Sequence, residues 1–342
     1  MTSPLISVII ACRNEEVYIS KCLDSLIAND YPKDRTEFFV IDGLSTDRTL
    51  EIVQDYQVRF PFIKIFSNPK KVFPAALNIG IKVSGGDLIF IIGAHATYDM
   101  DYFSKCVKYS LEYNADNVGG VLNTISADHN LTGYLISFVL SNSFGVGNSK
   151  FRTGSVDITE VDTVFGGCYK KEVFQSYGLF LESLTSSSDY EFNNRIKKQG
   201  AIILMVPEIK VTYYTRSTLK KFIINNVRNG FWAIYPIALA KRFPISVRHF
   251  IPLIFVSGII FLIIVSIIWS FFLVVSLVLL IFYLIGSLYF SCEKIDKKYY
   301  LLPFLPILFF ILHLTYGIGS IWGAIRVMLF KMNNLGRSSL LL

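Results

Sequence analysis

Residues 250–290, FIPLIFVSGIIFLIIVSIIWSFFLVVSLVLLIFYLIGSLYF, carry no Asp, Glu, Lys or Arg. A helix needs about 20 apolar residues to cross a bilayer, so this run is long enough for two crossings joined by a tight hairpin near Trp269 and Ser270. A second apolar block, LLPFLPILFFILHLTYGIGSIWGAIRVMLF, is interrupted by Pro303, Pro306, His313 and several glycines. Helix breakers are tolerated inside a membrane where neighbours satisfy the backbone. We read this block as a third span. The alternative is a kinked helix lying partly against the preceding domain.

The formal charge of +7 could suggest nucleic acid, but its placement points to lipid. Arg216, Lys220, Lys221, Arg228, Lys241, Arg242 and Arg248 all lie just ahead of the first apolar run. That is the positive-inside pattern, which predicts a cytoplasmic N-terminal part, a multi-pass protein of the cell membrane, and anionic headgroups as partners rather than nucleic acid. Lys294, Lys297 and Lys298 fit a cytoplasmic loop after the second crossing, while Lys331 and Arg337 argue against a third span that ends outside. The five cysteines show no C-x-x-C pairing and read as reduced, mostly buried thiols. LISVIIACRNEE has no basic segment ahead of it and no A-x-A site, so it is read as a first strand rather than a signal peptide.

Up to about Arg248, short apolar runs alternate with polar, glycine-containing punctuation. LISVIIA, EFFVIDG, FIKIFSN and DLIFIIG read as strands. NEEVYISKCLDSLIAN, STDRTLEIVQDYQ and PAALNIGIKVS read as helices. The alternation predicts an α/β domain with a mostly parallel sheet and right-handed crossovers, whose ligand site lies beyond the carboxyl ends of the strands. Asp42, Gly43 and His95 all fall there. Asp42 is read either as a turn residue or as an acceptor for a nucleotide base or ribose. Asp47 and Thr49 read as caps of the following helix. Glu15 and Glu16 either favour the positive end of their helix or face the nucleotide.

The motifs SVIIACRNEE, VIDGLSTDRT, PAALNIGI, GGDLIFIIGAHATYDMDYF, VFGGCYKKEVF and GLFLESLTSSSDYEFNNRIKKQG, followed by a basic segment and apolar spans, occur in this order. Together they resemble the family 2 inverting glycosyltransferases, and most closely the membrane-attached bacterial exopolysaccharide subgroup of succinoglycan type. That resemblance implies a GT-A fold, a nucleotide-diphosphate sugar donor with UDP as the expected nucleotide, a divalent metal (Mn²⁺ or Mg²⁺), and a lipid-linked or polysaccharide acceptor. By it, Ala11, Arg13, Glu15, Asp42, Asn78 and Ala94 would contact the donor. Gly166 and Gly167 would pass close to the acceptor sugar, and Arg228 and Trp232 would contact the diphosphate and the acceptor, or else serve as an interfacial Arg and a membrane-belt Trp. Gly43 stands where the family often has a second Asp.

The family's strand-end Asp-x-Asp becomes GAHA here, with Gly93 at the first acid and His95 at the second. His95 is then the sole retained metal ligand, and an imidazole suits Mn²⁺ better than Mg²⁺, so the metal is expected to be weakly bound or completed by the donor's phosphates. Asp99 and Asp101 spell Asp-x-Asp literally, but come late, before the pattern YFSKCVKYSLEY, and read as a helix cap. The family's Glu-Asp pair is reduced to Ser188-Asp189, with Asp189 at the position of the catalytic base. Glu191, two residues on, cannot share a helical face with Asp189.

The expected organisation is a catalytic domain at 1–215, a basic interfacial segment at 216–248, two to three spans at 249–330 and a polar tail at 331–342. Loss of acids at Gly93 and Ser188 also admits a catalytically impaired membrane scaffold. A Rossmann dehydrogenase lacks its G-x-G-x-x-G after the first strand, where the chain reads ACRNEE.

Overall fold

A computed structural model of the chain describes residues 3–128, 130–239, 247–295 and 297–338. Lys241 and Arg242 of the basic segment lie outside the described residues, as do the side chains of Arg248, Lys331 and Arg337. The chain divides into two compact units, one formed by Met1–Asn123 with Lys150–Tyr214, the other by Thr124–Ser149 with Thr215–Leu342.

The first unit begins β1 (Ile6–Cys12), α1 (Ile19–Ile27), β2 (Thr36–Asp42), α2 (Thr49–Arg59), β3 (Ile63–Ser67), α3 (Phe73–Val83) and β4 (Leu88–Gly93). The predicted strand–helix alternation is present. β1 pairs in parallel with both β2 and β4, and β2 with β3. All seven residues of β1 are buried, as expected of a strand covered on both faces. α1 turns Ile19, Cys22, Leu23 and Leu26 inward at helical spacing. α3 starts with Pro74 in its first turn, where a missing N–H costs nothing. Its Gly80 lets the helix approach β1, because a Cβ there would lie 2.5 Å from Ile9 Cγ2.

Beyond β4 the sheet changes character. The chain continues as β5 (Ala96–Tyr98), α4 (Tyr102–Glu112) and β6 (Asn117–Ser126). α5 (Leu131–Ser141) and α6 (Ser143–Val146) follow in the second unit, and then come α7 (Lys150–Thr153), β7 (Thr159–Glu160), β8 (Phe165–Lys170), α8 (Lys171–Tyr177), α9 (Ser188–Lys197) and β9 (Ile203–Thr215). The strand order is β3-β2-β1-β4-β8-β6-β9-β5, with β7 beside β9. β4 meets β8 antiparallel, and the β6–β8, β5–β9 and β7–β9 pairs are antiparallel too. The sheet is therefore mixed: the parallel part read from the sequence ends at β4.

Asp101 occupies the N-cap position of α4, but its side chain caps no N–H. It pairs with Lys105 at 2.7 Å instead, so the expected side-chain cap is corrected to a one-turn ion pair. Four of the five cysteines are buried and all are free; Cys292 is exposed.

In the second unit, α10 (Leu219–Ile234) and α11 (Pro236–Leu239) precede α12 (Ile251–Ile268), α13 (Phe271–Lys294) and α14 (Leu305–Ser338). Among the described residues three helices are long and apolar enough to cross a membrane: Ile251–Ile268, Phe271–Lys294 and Leu305–Phe330. The break between the first two falls at Trp269 and Ser270, as read. Pro306 does not kink the third helix, because it sits in the first turn. α14 continues to Ser338, into the stretch expected to be a polar tail.

The glycines of α10 and α14 let the two backbones touch. A Cβ at Gly230 would lie 1.9 Å from Tyr316 O, and one at Gly319 2.0 Å from Val227 O. Ser320 Oγ donates to Gly230 O at 3.3 Å, the small-residue contact typical of packed membrane helices. α5, an apolar helix that the sequence reading left unassigned, buries Leu135, Ile136, Phe138 and Val139 against Phe222, Leu305 and Phe309.

Gly319→Leu should lower the thermal midpoint in detergent, since overpacking of this kind costs about 1–3 kcal/mol. Gly258→Leu, where a Cβ meets open space, should leave the midpoint near that of the unaltered protein.

Candidate active site

The site is built at the carboxyl ends of β1, β2 and β4. The loops after β1 and β2 satisfy one another. Asn14, in the left-handed region at φ 56°, donates its N–H to Ser45 Oγ at 3.0 Å and accepts the Thr46 N–H on Oδ1 at 2.8 Å. The Glu15 N–H donates to Thr49 Oγ1 at 2.7 Å. Asp47 accepts the N–H and the hydroxyl of Thr49 at the start of α2. Asp42 is buried and accepts both the N–H and the hydroxyl of Ser45, at 3.1 and 2.5 Å. It thus forms the turn that the sequence allowed. A Cβ on Gly43 would press on the Arg13 stem at 3.1 Å; Arg13 itself is exposed beside this rim.

At the end of β4 the packing explains the missing acid. A Cβ on Gly93 would lie 2.8 Å from Phe165 Cζ, so the Phe165 ring covers the place where a first carboxylate would project. Ala94 is buried in the core and offers only its backbone, and Ala11 is nearly as enclosed. His95 remains half-exposed. Its Nδ1 lies 3.3 Å from Glu15 Oε1, and its ring meets Tyr213 edge-on with centroids 5.1 Å apart.

Among the described residues no group of three or more His, Cys, Asp or Glu side chains could hold a metal ion. With Phe165 filling the first acid's place and His95 turned to Glu15, these residues do not form a resident metal centre.

Three sequence-stated contacts are used internally. Asn78 is buried, and its amide donates to Phe180 O at 2.9 Å and Glu182 Oε1 at 3.1 Å while accepting the Phe180 N–H at 3.0 Å. Its donor-contact assignment is therefore corrected: the polar atoms are spent fixing the loop ahead of α9. Gly166 has φ +63°, and a Cβ there would sit 2.7 Å from Tyr102 OH, while one on Gly167 would sit 2.4 Å from Asn117 Oδ1. Both glycines are buried, so these positions demand glycine for packing. Arg228 and Trp232 belong to α10 in the other unit. Arg228 donates to Asn225 Oδ1 at 3.0 Å, and Trp232 packs on Phe231 and Tyr235.

Asp189 opens α9, just after Ser187 in the left-handed region at φ 59°. Asn193, one turn on, anchors the helix beneath it: Oδ1 accepts from Asn117 Nδ2 at 3.1 Å and from Tyr169 OH at 3.0 Å, and Nδ2 donates to Thr163 Oγ1 at 2.9 Å. Glu191 is committed to a two-pronged pair with Arg195 at 2.9 and 3.1 Å, which leaves Asp189 as the available acid. Asp189 keeps solvent on one side, but the surrounding protein raises its carboxyl above the ordinary range. Its own and the Tyr190 N–H groups, and then the charge of Arg152, pull the other way. Ser188, where the family resemblance would put a Glu, is buried.

Sequence reasoning missed Arg152, Tyr213 and Phe165. Arg152 lies on the four-residue α7, in a polar stretch with no periodicity to mark it.

Residues 7–177 match the Glycosyl transferase family 2 model. The chain belongs to this family. Among its relatives is the dolichyl N-acetyl-alpha-D-glucosaminyl phosphate 3-beta-D-2,3-diacetamido-2,3-dideoxy-beta-D-glucuronosyltransferase of Methanococcus voltae. It is 31% identical over 94% of this chain and 97% of that protein. The succinoglycan biosynthesis protein ExoA of Rhizobium meliloti is 28% identical over 70% of this chain and 77% of its own length.

A mannosyltransferase from Pyrobaculum calidifontis, solved with GDP-Man and Mn²⁺, shares the fold with a TM-score of 0.60 at 16% identity, covering 95% of this chain and 88% of that one. This family 2 glycosyltransferase thus has the GT-A fold, followed by three apolar helices. Family membership excludes the dehydrogenase. Of the two positions that suggested a scaffold, Gly93 lies against the Phe165 ring and Ser188 is buried.

Asn78→Ala should cost about 1–3 kcal/mol of stability by leaving the Phe180 backbone groups unpaired. The KM for donor should change little, which separates positioning from contact.

Proposed function

We propose that this enzyme is a membrane-bound inverting glycosyltransferase that moves a sugar from a nucleoside-diphosphate donor to a lipid-linked saccharide in cell-surface polysaccharide or glycan synthesis. The observation that carries it is the similarity to the Methanococcus transferase, whose name specifies a dolichyl phosphate-linked acceptor and which matches along nearly the whole chain, apolar helices included. UDP is the first nucleotide to test; the family relationship alone leaves GDP as the comparison.

Asp189 acts as the general base. It takes the proton from the acceptor hydroxyl as that oxygen attacks the anomeric carbon, and the bond to the diphosphate breaks on the opposite face. The protein around it favours its neutral form, which raises its proton affinity in the direction a base needs. The loops joined at Asn14, Asp42 and Ser45 form the rim for the base and ribose, with Arg13, Glu15, Ala11 and Ala94 along the donor.

A divalent cation would reach the site with the donor's diphosphate, with His95 as the side chain at the strand end able to meet it. Gly166 and Gly167 keep the backbone close at the acceptor side, and Arg228 and Trp232 of α10 would engage the acceptor near the headgroups. Exposed Arg216, Lys220, Lys221 and Arg228 support an interfacial segment at 216–248 on anionic lipid, with the catalytic domain, 1–215, in the cytoplasm.

Asp189→Asn should lower kcat by about 10²–10⁴-fold while leaving nucleotide binding intact. In the unaltered enzyme, kcat/KM should climb with pH through a value above the ordinary carboxylate range of about 3.9, because a raised pKa keeps the base protonated to higher pH. Normal transfer by the Asn variant would remove Asp189 from this role.

A further inference from the structure

Arg152 holds a guanidinium N–H without an acceptor. Its Nη1 is fully buried and has no hydrogen-bond partner among the described residues. Its guanidinium lies over the Phe151 and Tyr213 rings, 5.3 and 5.8 Å from their centroids. Burial pulls its pKa below the usual range, while Tyr213 and Asp189 favour the charged form. A buried N–H left without an acceptor is costly, and an anion placed against it would satisfy it.

The surroundings identify the anion. The Tyr213 ring that carries Arg152 also meets His95 on its other contacts, and Phe165, the ring that covers Gly93, lies 5.6 Å from Tyr213. Arg152 is therefore grouped with the strand end that lacks its acid and within electrostatic reach of Asp189. A positive group fixed by the protein favours the negative charge that builds on a departing diphosphate, whatever cation accompanies the donor. A planar guanidinium with a free N–H suits phosphoryl oxygens.

We propose that Arg152 is a catalytic oxyanion-binding residue, its unpaired Nη1–H donating to a phosphoryl oxygen of a substrate. The inference rests on the transferase reading above. The phosphoryl group is either the donor's diphosphate or the phosphate of the lipid-linked acceptor. As the bond between the anomeric carbon and the departing oxygen breaks, the electron pair stays on that oxygen. Arg152 remains protonated throughout and steadies the charge without transferring a proton.

The test is made on the full-length protein in detergent, with Arg152→Gln and Arg152→Lys. UDP, GDP and uridine are titrated calorimetrically without acceptor, and KM is measured with dolichyl N-acetylglucosaminyl phosphate. If the donor supplies the anion, R152Q weakens nucleoside-diphosphate binding about 10- to 100-fold, leaves uridine unaffected, and R152K recovers part of the loss. If the acceptor supplies it, UDP binding is unchanged and the acceptor KM rises by a similar factor.

In either case R152Q melts no earlier than the unaltered protein, because it removes a buried guanidinium N–H that lacks an acceptor. The acid limb of kcat/KM also moves to higher pH, since the charge that lowers the Asp189 carboxyl is that of Arg152 from α7, while Tyr169 from β8 feels Asp189 in turn. Unchanged binding and unchanged acceptor KM in R152Q would overturn the inference, as would a lowered melting point with normal binding. An unaltered protein that binds neither UDP nor GDP and transfers no sugar would overturn the transferase reading itself.

Discussion

The arrangement around the end of β4 governs the rest of the catalytic unit. β4 pairs in parallel with β1 on one side and antiparallel with β8 on the other. The antiparallel register carries the start of β8 to the carboxyl end of β4, which brings Phe165 over Gly93. Loops that leave β1 and β2 in the same direction as β4 must then satisfy their backbone groups beside that edge, and they do so through Asn14, Asp42, Ser45 and Asp47. A ligand site at the carboxyl ends of the strands, beside a change of sheet polarity, is in keeping with this wiring.

The same contact decides the electrostatics of the site. A ring over Gly93 excludes a carboxylate and gathers aromatic surface, Phe165 against Tyr213 and Tyr213 against His95. Beside these rings lie an imidazole against Glu15, a guanidinium over Tyr213 and, within electrostatic reach of the latter, the carboxylate of Asp189. Where protein rather than water lies between such groups, each acts over a longer range than in water. Asp189 and Arg152 accordingly influence each other's protonation in opposite senses without forming a close pair.

The second unit solves a separate problem. Its helices are too apolar to be left in water, and their packing relies on small residues rather than on ridges of large ones. Gly230, Gly319 and Ser320 let α10 and α14 approach until backbone meets backbone. The glycines and prolines that looked like interruptions of a span are thus compatible with one long helix, since Pro306 sits in the first turn and the glycines face a neighbour.

Much of this was legible along the chain. The uncharged run, the alternation of strands and helices up to β4 and the turn allowed at Asp42 follow from composition, period and local spacing, while the acid at Asp189 was implied by the family resemblance. The first three act between residues close in sequence. Other features depend on residues far apart: Asn78 spent on Phe180, Gly93 closed by Phe165, and Arg152 set over Tyr213. Periodicity says which face of an element is apolar, but not which distant side chain fills a given gap, nor whether a buried polar atom finds its partner. The sequence alone determined an α/β transferase-like domain with a membrane-seeking tail. Only the tertiary structure decided which polar groups are consumed by packing and which stay available for chemistry.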